Sequence, residues 1–191
     1  MEMLREYFKG FGELSEPNMD LLLSSCQERQ LSKRDMLIQA NQTVGSIYFV
    51  TDGFLHYYTH NDFGNQITLK IISPNYCWTI MDSFFHQTPT LDECKALTDV
   101  RFCELKKPDY LRIKSENVEL SNFIQNITEQ ILSAKTVEAK KQSSLSVEER
   151  YLELLQTQPK MVQEVPVNII ASLLGTSRET LHRIRRRLAA A

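Results

Sequence analysis

The chain has 191 residues, of which 42% are hydrophobic and 24% charged, and its formal charge is −2, so its surface as a whole does not attract polyanions and any affinity for nucleic acid has to be local. The opening MEMLREYFKGFGELS carries acids instead of the apolar run of a secretion signal, and no stretch reaches the ~18 uninterrupted apolar residues of a membrane span; a cytoplasmic protein of one domain or two small ones, with no membrane partner, is expected. Cys26, Cys77, Cys94 and Cys103 form no CxxC pair, which argues against a disulfide framework and a zinc site and for reduced, mostly buried thiols.

Residues 1–30 read as helical. Leu4, Tyr7, Phe8 and Phe11 recur at helical spacing, and SEPNMDLLLSSC offers a second start with Ser15 or Asn18 as cap. From Met36 to Leu105 the pattern changes to short β-rich runs, MLIQA, SIYFV, FLHYYTH, QITLKII, CKALT and VRFCEL, with TDGF and HNDFGNQ as turns. Many short strands at regular spacing predict a barrel or sandwich, here a jelly-roll-like β-roll of antiparallel strands. His56 and His60 share a strand face near a turn, with no cysteine beside them, and read as surface residues instead of metal ligands.

From about Pro108 to Gln142 helix takes over, with Leu120, Ile124, Ile127, Ile131 and Ala134 as an apolar stripe. One long helix with a narrow seam predicts a two-chain interface. The same stripe could instead pack on its own β-domain, because periodicity does not identify the partner. KKQSSLSVEERYLELLQ follows; its serine-rich part reads as a hinge, and Ser146 with Glu149 three residues on reads as the start of a new helix. The expected division is therefore 1–110 for the β-roll with flanking helices, 111–145 for the long helix and hinge, and 146–191 for a small helical domain.

Within VPVNIIASLLGTSRETLHRIRRRL the spacing predicts two crossed helices. The first runs from Val167 to Leu174, with Pro166 suited to its first turn and Gly175 free to take the left-handed conformation that ends it. Ala171 supplies the small residue where two backbones approach, and Ile170, Leu174, Leu181 and Ile184 fall where a shared core requires them. At ~100° per residue, Leu181, Ile184 and Leu188 cluster on one side of the second helix while Glu179, His182, Arg183 and Arg186 point the other way, with Arg178 at the tip. That outward face suits the major groove, where arginine bonds guanine in two places and a carboxylate accepts from cytosine; Arg185 and Arg187 flank it and suit phosphates. Glu179 has a second reading, since Thr176 and Glu179 also match a capping box. A run of arginines closing a helix can also simply complement its dipole.

With a β-roll, a long helix and GTSRETLHRI in that order, the chain resembles the Crp/Fnr family of bacterial transcription regulators over nearly its whole length. The resemblance implies an α+β fold with a cyclic-nucleotide-binding-like β-roll, a long dimerisation helix and a helix-turn-helix, and a homodimer on a near-palindromic site in double-stranded DNA. Ser177, Arg178, Glu179 and Thr180 stand where the family carries its Ser-Arg-Glu-Thr recognition start. The arginine and glutamate are then expected to read bases and the hydroxyls to hold phosphates, with Arg183 matching a further base-contacting arginine. RNA polymerase is a further partner such a regulator could touch, although no local signature marks the surface.

Two departures stand out. Cyclic-nucleotide-binding members place Gly-Glu and later Arg-Ser in a phosphate cassette; an ungapped match puts Thr79 and Ile80 at the first pair, beside Trp78, and Thr90 and Leu91 at the second. The stretch 71–94 contains no lysine or arginine but does contain Asp82, Asp92 and Glu93, and an anion buried there without a cation would bear a cost of several kcal/mol. Binding of cyclic AMP is therefore not expected, although Lys135 and Thr136 occupy the family positions that meet the base. The aromatic and apolar Tyr76, Trp78, Ile80, Phe84 and Phe85 would suit either a nonpolar effector or a cavity filled by its own side chains. The second departure is that the sequence given ends just after the recognition helix, so most or all of the family's β-hairpin wing is expected to be missing and Arg185, Arg186 and Arg187 to carry more of the binding. No cofactor, metal or nucleophile-base set is expected, hence no enzyme. The competing class is a β-roll interaction module whose terminal helices meet protein partners, but a protein-binding face would be expected to show aromatic or aliphatic anchors where this one shows arginines.

Overall fold

A computed structural model describes residues 1–189, apart from the side chains of residues 134, 135, 138 and 141–143. Two short helices, α1 (Glu2–Lys9) and α2 (Glu16–Ser24), lead into eight strands that form two four-stranded antiparallel sheets. The first sheet runs β1 (Cys26–Leu31), β8 (Val100–Lys106), β3 (Ser46–Asp52), β6 (Tyr76–Trp78); the second runs β2 (Met36–Ile38), β7 (Glu93–Ala96), β4 (Leu55–His60), β5 (Gln66–Ile72). A one-turn helix, α3 (Met81–His86), sits between β6 and β7. The turn after β3 depends on Gly53, whose φ is +80° and where an added Cβ would lie 2.1 Å from the Asp99 carbonyl oxygen.

Strand alternation sorts the apolar side chains into three cores. Val50, Leu55, Ile72, Cys94 and Val100 point between the sheets. Their neighbours Phe49 and Cys103 point outward from the first sheet, onto Leu4, Phe8 and Leu22 and onto two further helices, α4 (Lys107–Glu116) and α5 (Val118–Ser144). On the outside of the second sheet, Phe54, Ile71 and Leu97 meet four C-terminal helices, α6 (Val147–Thr157), α7 (Pro159–Glu164), α8 (Val167–Leu173) and α9 (Arg178–Ala189). The C-terminal helices thus share a core with the β-roll. A hydrogen bond of 2.9 Å from the Thr68 backbone N–H to Ser172 Oγ joins β5 to α8.

Several local expectations take a different form. The end of the segment 1–30, expected to be helical, lies in strand β1 (Cys26–Leu31): the polar CQERQL has no alternation of its own and becomes a strand by pairing with β8. Strand β6 and helix α3 lie where the sequence shows only an aromatic cluster. The long-helix stripe, expected at a two-chain seam, is spent within the chain: Leu120, Ile124 and Ile127 are buried against the first sheet and α1, and Ile131 packs against the same core. Ala134 lies outside the described side chains. The outward side of α5 instead carries Leu132, 65% exposed. The serine-rich hinge is shorter than expected, because α5 stays helical to Ser144; at Ser146 a reciprocal box forms with Glu149 and starts α6. His56 is 1% exposed instead of lying on the surface, because the C-terminal helices cover that side of the second sheet.

Candidate nucleic-acid interface and effector cassette

Helices α8 and α9 meet through a tight turn. Leu174 ends α8, Gly175 follows with φ +64°, and the chain closes with Gly175 N–H donating to Ser172 O at 3.0 Å and Thr176 N–H to Ala171 O at 2.9 Å. This is the left-handed helix end that the glycine predicts. Ala171 is buried where the two helices approach, and Arg150 Nη2 on α6 donates to the Leu174 carbonyl at 2.8 Å, tying the turn to the neighbouring helix. Leu181 and Ile184 hold the inner side of α9.

Because α9 begins at Arg178, its cap is Ser177 and not Thr176: Thr180 N–H donates to Ser177 Oγ at 3.2 Å. Glu179 is not part of a box with Thr176. Its carboxyl is held below the usual range by its own backbone N–H and the Ser177 hydroxyl, with Arg178 and His182 adding to the effect. Arg178, Glu179, Arg183 and Arg186 are exposed together on the outer side of the helix, and His182 is half-buried among them. Weak side-chain bonds steady this face, from Arg178 Nε to His182 Nε2 at 3.4 Å and from Arg183 Nη2 to Thr180 Oγ1 at 3.3 Å.

The two arginines expected to flank that face are engaged elsewhere. Arg185 is half-buried with its guanidinium 5.5 Å from the centre of the Tyr151 ring, and Arg187 forms an ion pair with Glu148. Both partners lie on α6, distant in sequence, so helical periodicity gave no signal for either contact.

The cassette residues are built into the roll. Trp78 and Ile80 are buried in the core between the sheets, and Trp78 stacks on Tyr48 at 6.1 Å. Thr79 Oγ1 donates to Ser46 O at 2.8 Å. Thr90 is buried, with its N–H on Gln42 O and its Oγ1 accepting from Asp92 N–H at 3.0 Å, whereas Leu91 is 74% exposed. On α5 the Thr136 hydroxyl donates back to Leu132 O, and the Lys135 side chain lies outside those described. Lys107, which sequence reading passed over, donates through Nζ to the Phe84 and Phe85 carbonyls at the end of α3. That ammonium is committed to the C-terminal end of a helix, where a cation is favoured. Among the described residues no group of three or more His, Cys, Asp or Glu side chains could hold a metal ion, and no helix is long and apolar enough to cross a membrane.

Residues 28–117 match the family model of the cyclic nucleotide-binding domain. No curated protein matches the chain significantly. Among solved structures, a Ruegeria pomeroyi chain described as a cyclic nucleotide binding candidate superposes with TM-score 0.69 at 20% identity, over 93% of this chain and 81% of that one. The c-di-GMP responsive global regulator CLP of Xanthomonas campestris gives 0.67 at 18%, over 92% of each chain. The catabolite activator protein of Thermus thermophilus gives 0.56 at 21%, over 94% of this chain and 86% of that one. The chain therefore carries a cyclic nucleotide-binding fold, and its structural neighbours include regulators of the Crp type.

Proposed function

We propose that this chain is a DNA-binding transcription regulator of the Crp/Fnr type, working as a homodimer in the cytoplasm, with residues 146–191 as its helix-turn-helix domain. The observation that carries this reading is the pairing of α8 and α9 through left-handed Gly175: Ala171, Leu181 and Ile184 are turned inward while Arg178, Glu179, Arg183 and Arg186 are exposed together. On this reading Arg178 and Arg183 read guanines, Glu179 accepts from cytosine, His182 lies beside them, and Ser177, Thr180 and Arg186 hold phosphates. Arg185 and Arg187 would join the phosphate contacts after leaving Tyr151 and Glu148. The likeness to Crp-type neighbours supports the dimer, and the exposed Leu132 side of α5 is the surface left for the second copy.

The β-roll, residues 1–110, serves as the regulatory part and does not respond to cyclic AMP. Support comes from the filling of the cassette by Trp78 and Ile80, the engagement of the Thr79 hydroxyl and the lack of any lysine or arginine from 71 to 94. The long helix and Ser146 junction, residues 111–145 and onward, set the position of α6 to α9, and an effector acts by favouring one position over another. The test is selection from a random duplex library by the full-length protein, followed by anisotropy on the selected site. Arg183→Ala should weaken binding at least tenfold and relax preference at one base pair of each half-site. A protein that ignores every duplex at low salt overturns the proposal.

A further inference from the structure

The helix-side core encloses a cavity of about 100 Å³ between the outer face of the first sheet and helices α1, α2 and α5. It lies mainly on the helix side of the first sheet, with Tyr76 and Trp78 of the core between the sheets reaching its edge. Its sheet wall is formed by Phe49, Cys77 and Cys103, while the adjacent residues Val50 and Phe102 point the other way, into the core between the sheets. The facing wall is Ile124, Ile127 and Ile131 of α5. The lining extends to Phe85, which is 41% exposed, and to half-buried Met81, so a guest has a route from solvent.

The chemistry of the wall selects the guest. None of the lining residues is charged. The hydroxyls of Thr79 and Thr128 already donate to Ser46 O and Ile124 O, and none of the buried polar side-chain atoms left without a partner belongs to the lining. Burial pushes the Cys26 and Cys77 thiols up to about 12, which keeps them neutral and unreactive. A site with so few unsatisfied polar groups does not hold water well, and a dry apolar cavity of about 150 Å³ is known to take benzene or xenon. We propose that this cavity is a binding site for a small neutral apolar molecule, a hydrocarbon or halocarbon no larger than benzene. Since one wall is the sheet and the other is α5, an occupied cavity favours the position of α5 that closes on it, and α5 leads at Ser146 into the C-terminal helices. The binding site stands whether or not the chain binds DNA.

The experiment titrates the full-length protein, labelled at isoleucine δ1 methyls, with benzene and separately with xenon, while recording methyl NMR spectra. Saturable shifts are expected at Ile124, Ile127 and Ile131, with Ile38 and Ile72 of the core between the sheets unmoved. Two mild fillings, Cys103→Leu and Thr128→Leu, should weaken benzene binding at least tenfold; if neither variant folds, the wild-type pattern decides alone. The proposal is overturned by a wild-type protein that shows no saturable shift up to the solubility of benzene, by shifts centred on Ile38 and Ile72, or by unchanged affinity in a folded filled variant.

Discussion

His56 makes this protein's stability depend on mildly acidic pH. The ring is buried on β4, its Nε2 shares a 2.9 Å hydrogen bond with Thr68 Oγ1, it stacks on Tyr58 at 4.6 Å, and its Nδ1 has no partner. Burial lowers its pKa to about 4, and the positive charge of Lys95 pushes in the same direction. In the unfolded chain a histidine titrates near 6.5, so as pH falls the unfolded state takes up the proton first. The contribution is therefore complete above about pH 6.5, shrinks as pH drops toward 4, and changes no further below that. A gap of about 2.5 units at about 1.4 kcal/mol per unit sets a ceiling near 3.5 kcal/mol, of which about 2 kcal/mol is lost by pH 5. Thr68 also donates its N–H to Ser172 on α8, so protonation strains the place where the second sheet meets the C-terminal helices. Urea unfolding at pH 7.5 and pH 5 should show the wild type losing about 2 kcal/mol more than His56→Gln, and the His56 ring should titrate below pH 5 by NMR. Parallel pH profiles for the two proteins, or a ring that titrates near 6.5, would refute the reasoning.

Further outcomes are expected at other places in the fold. Gly53→Ala places a Cβ against the Asp99 carbonyl at a positive φ and should cost about 3 kcal/mol in chemical denaturation; a loss under about 1 kcal/mol would mean that the turn yields easily. Ile124→Ala should destabilise by about 2–5 kcal/mol independently of protein concentration, because its cavity lies within one chain, whereas Leu132→Glu should leave stability nearly unchanged and weaken self-association in sedimentation. Arg186→Ala should reduce the salt slope of DNA binding by about 0.9, measured by anisotropy over a range of salt, while Glu148→Gln, which releases Arg187, should tighten binding. Cyclic AMP at millimolar concentration should leave the melting temperature unchanged, and a clear rise would show that the filled cassette opens.

Much of the fold was legible because the signals are local. The β-branched and aromatic runs SIYFV and QITLKII mark strands β3 and β5, and the Asn, Asp and Gly of HNDFGNQ mark the reversal between β4 and β5. Gly175 could be assigned its left-handed turn because no other residue accepts that φ at so little cost, and the Ser146–Glu149 box needs only three residues of spacing. The candidate recognition face was equally readable: at one helical period Glu179, Arg183 and Arg186 cannot share a side with Leu181 and Ile184, and Arg178 falls at the exposed tip of the helix.

What tertiary structure decided is which surface each pattern meets. A stripe such as Leu120, Ile124 and Ile127 states that one side of α5 must leave water, and only the packing shows that its own sheet covers that side and leaves Leu132 outward. CQERQL becomes a strand because β8 offers it a ladder, and His56 is buried because helices more than a hundred residues further along the chain close over it. Arg185 and Arg187 read in the sequence as flanks free to meet phosphates, yet α6 brings Tyr151 and Glu148 to them. Periodicity and turn chemistry are properties of a segment and its neighbours, so the sequence by itself specified the elements whose signal is local; burial, charge pairing and strands such as β1 and β6 that exist through their ladder partners depend on groups far along the chain, so only the folded molecule could assign them.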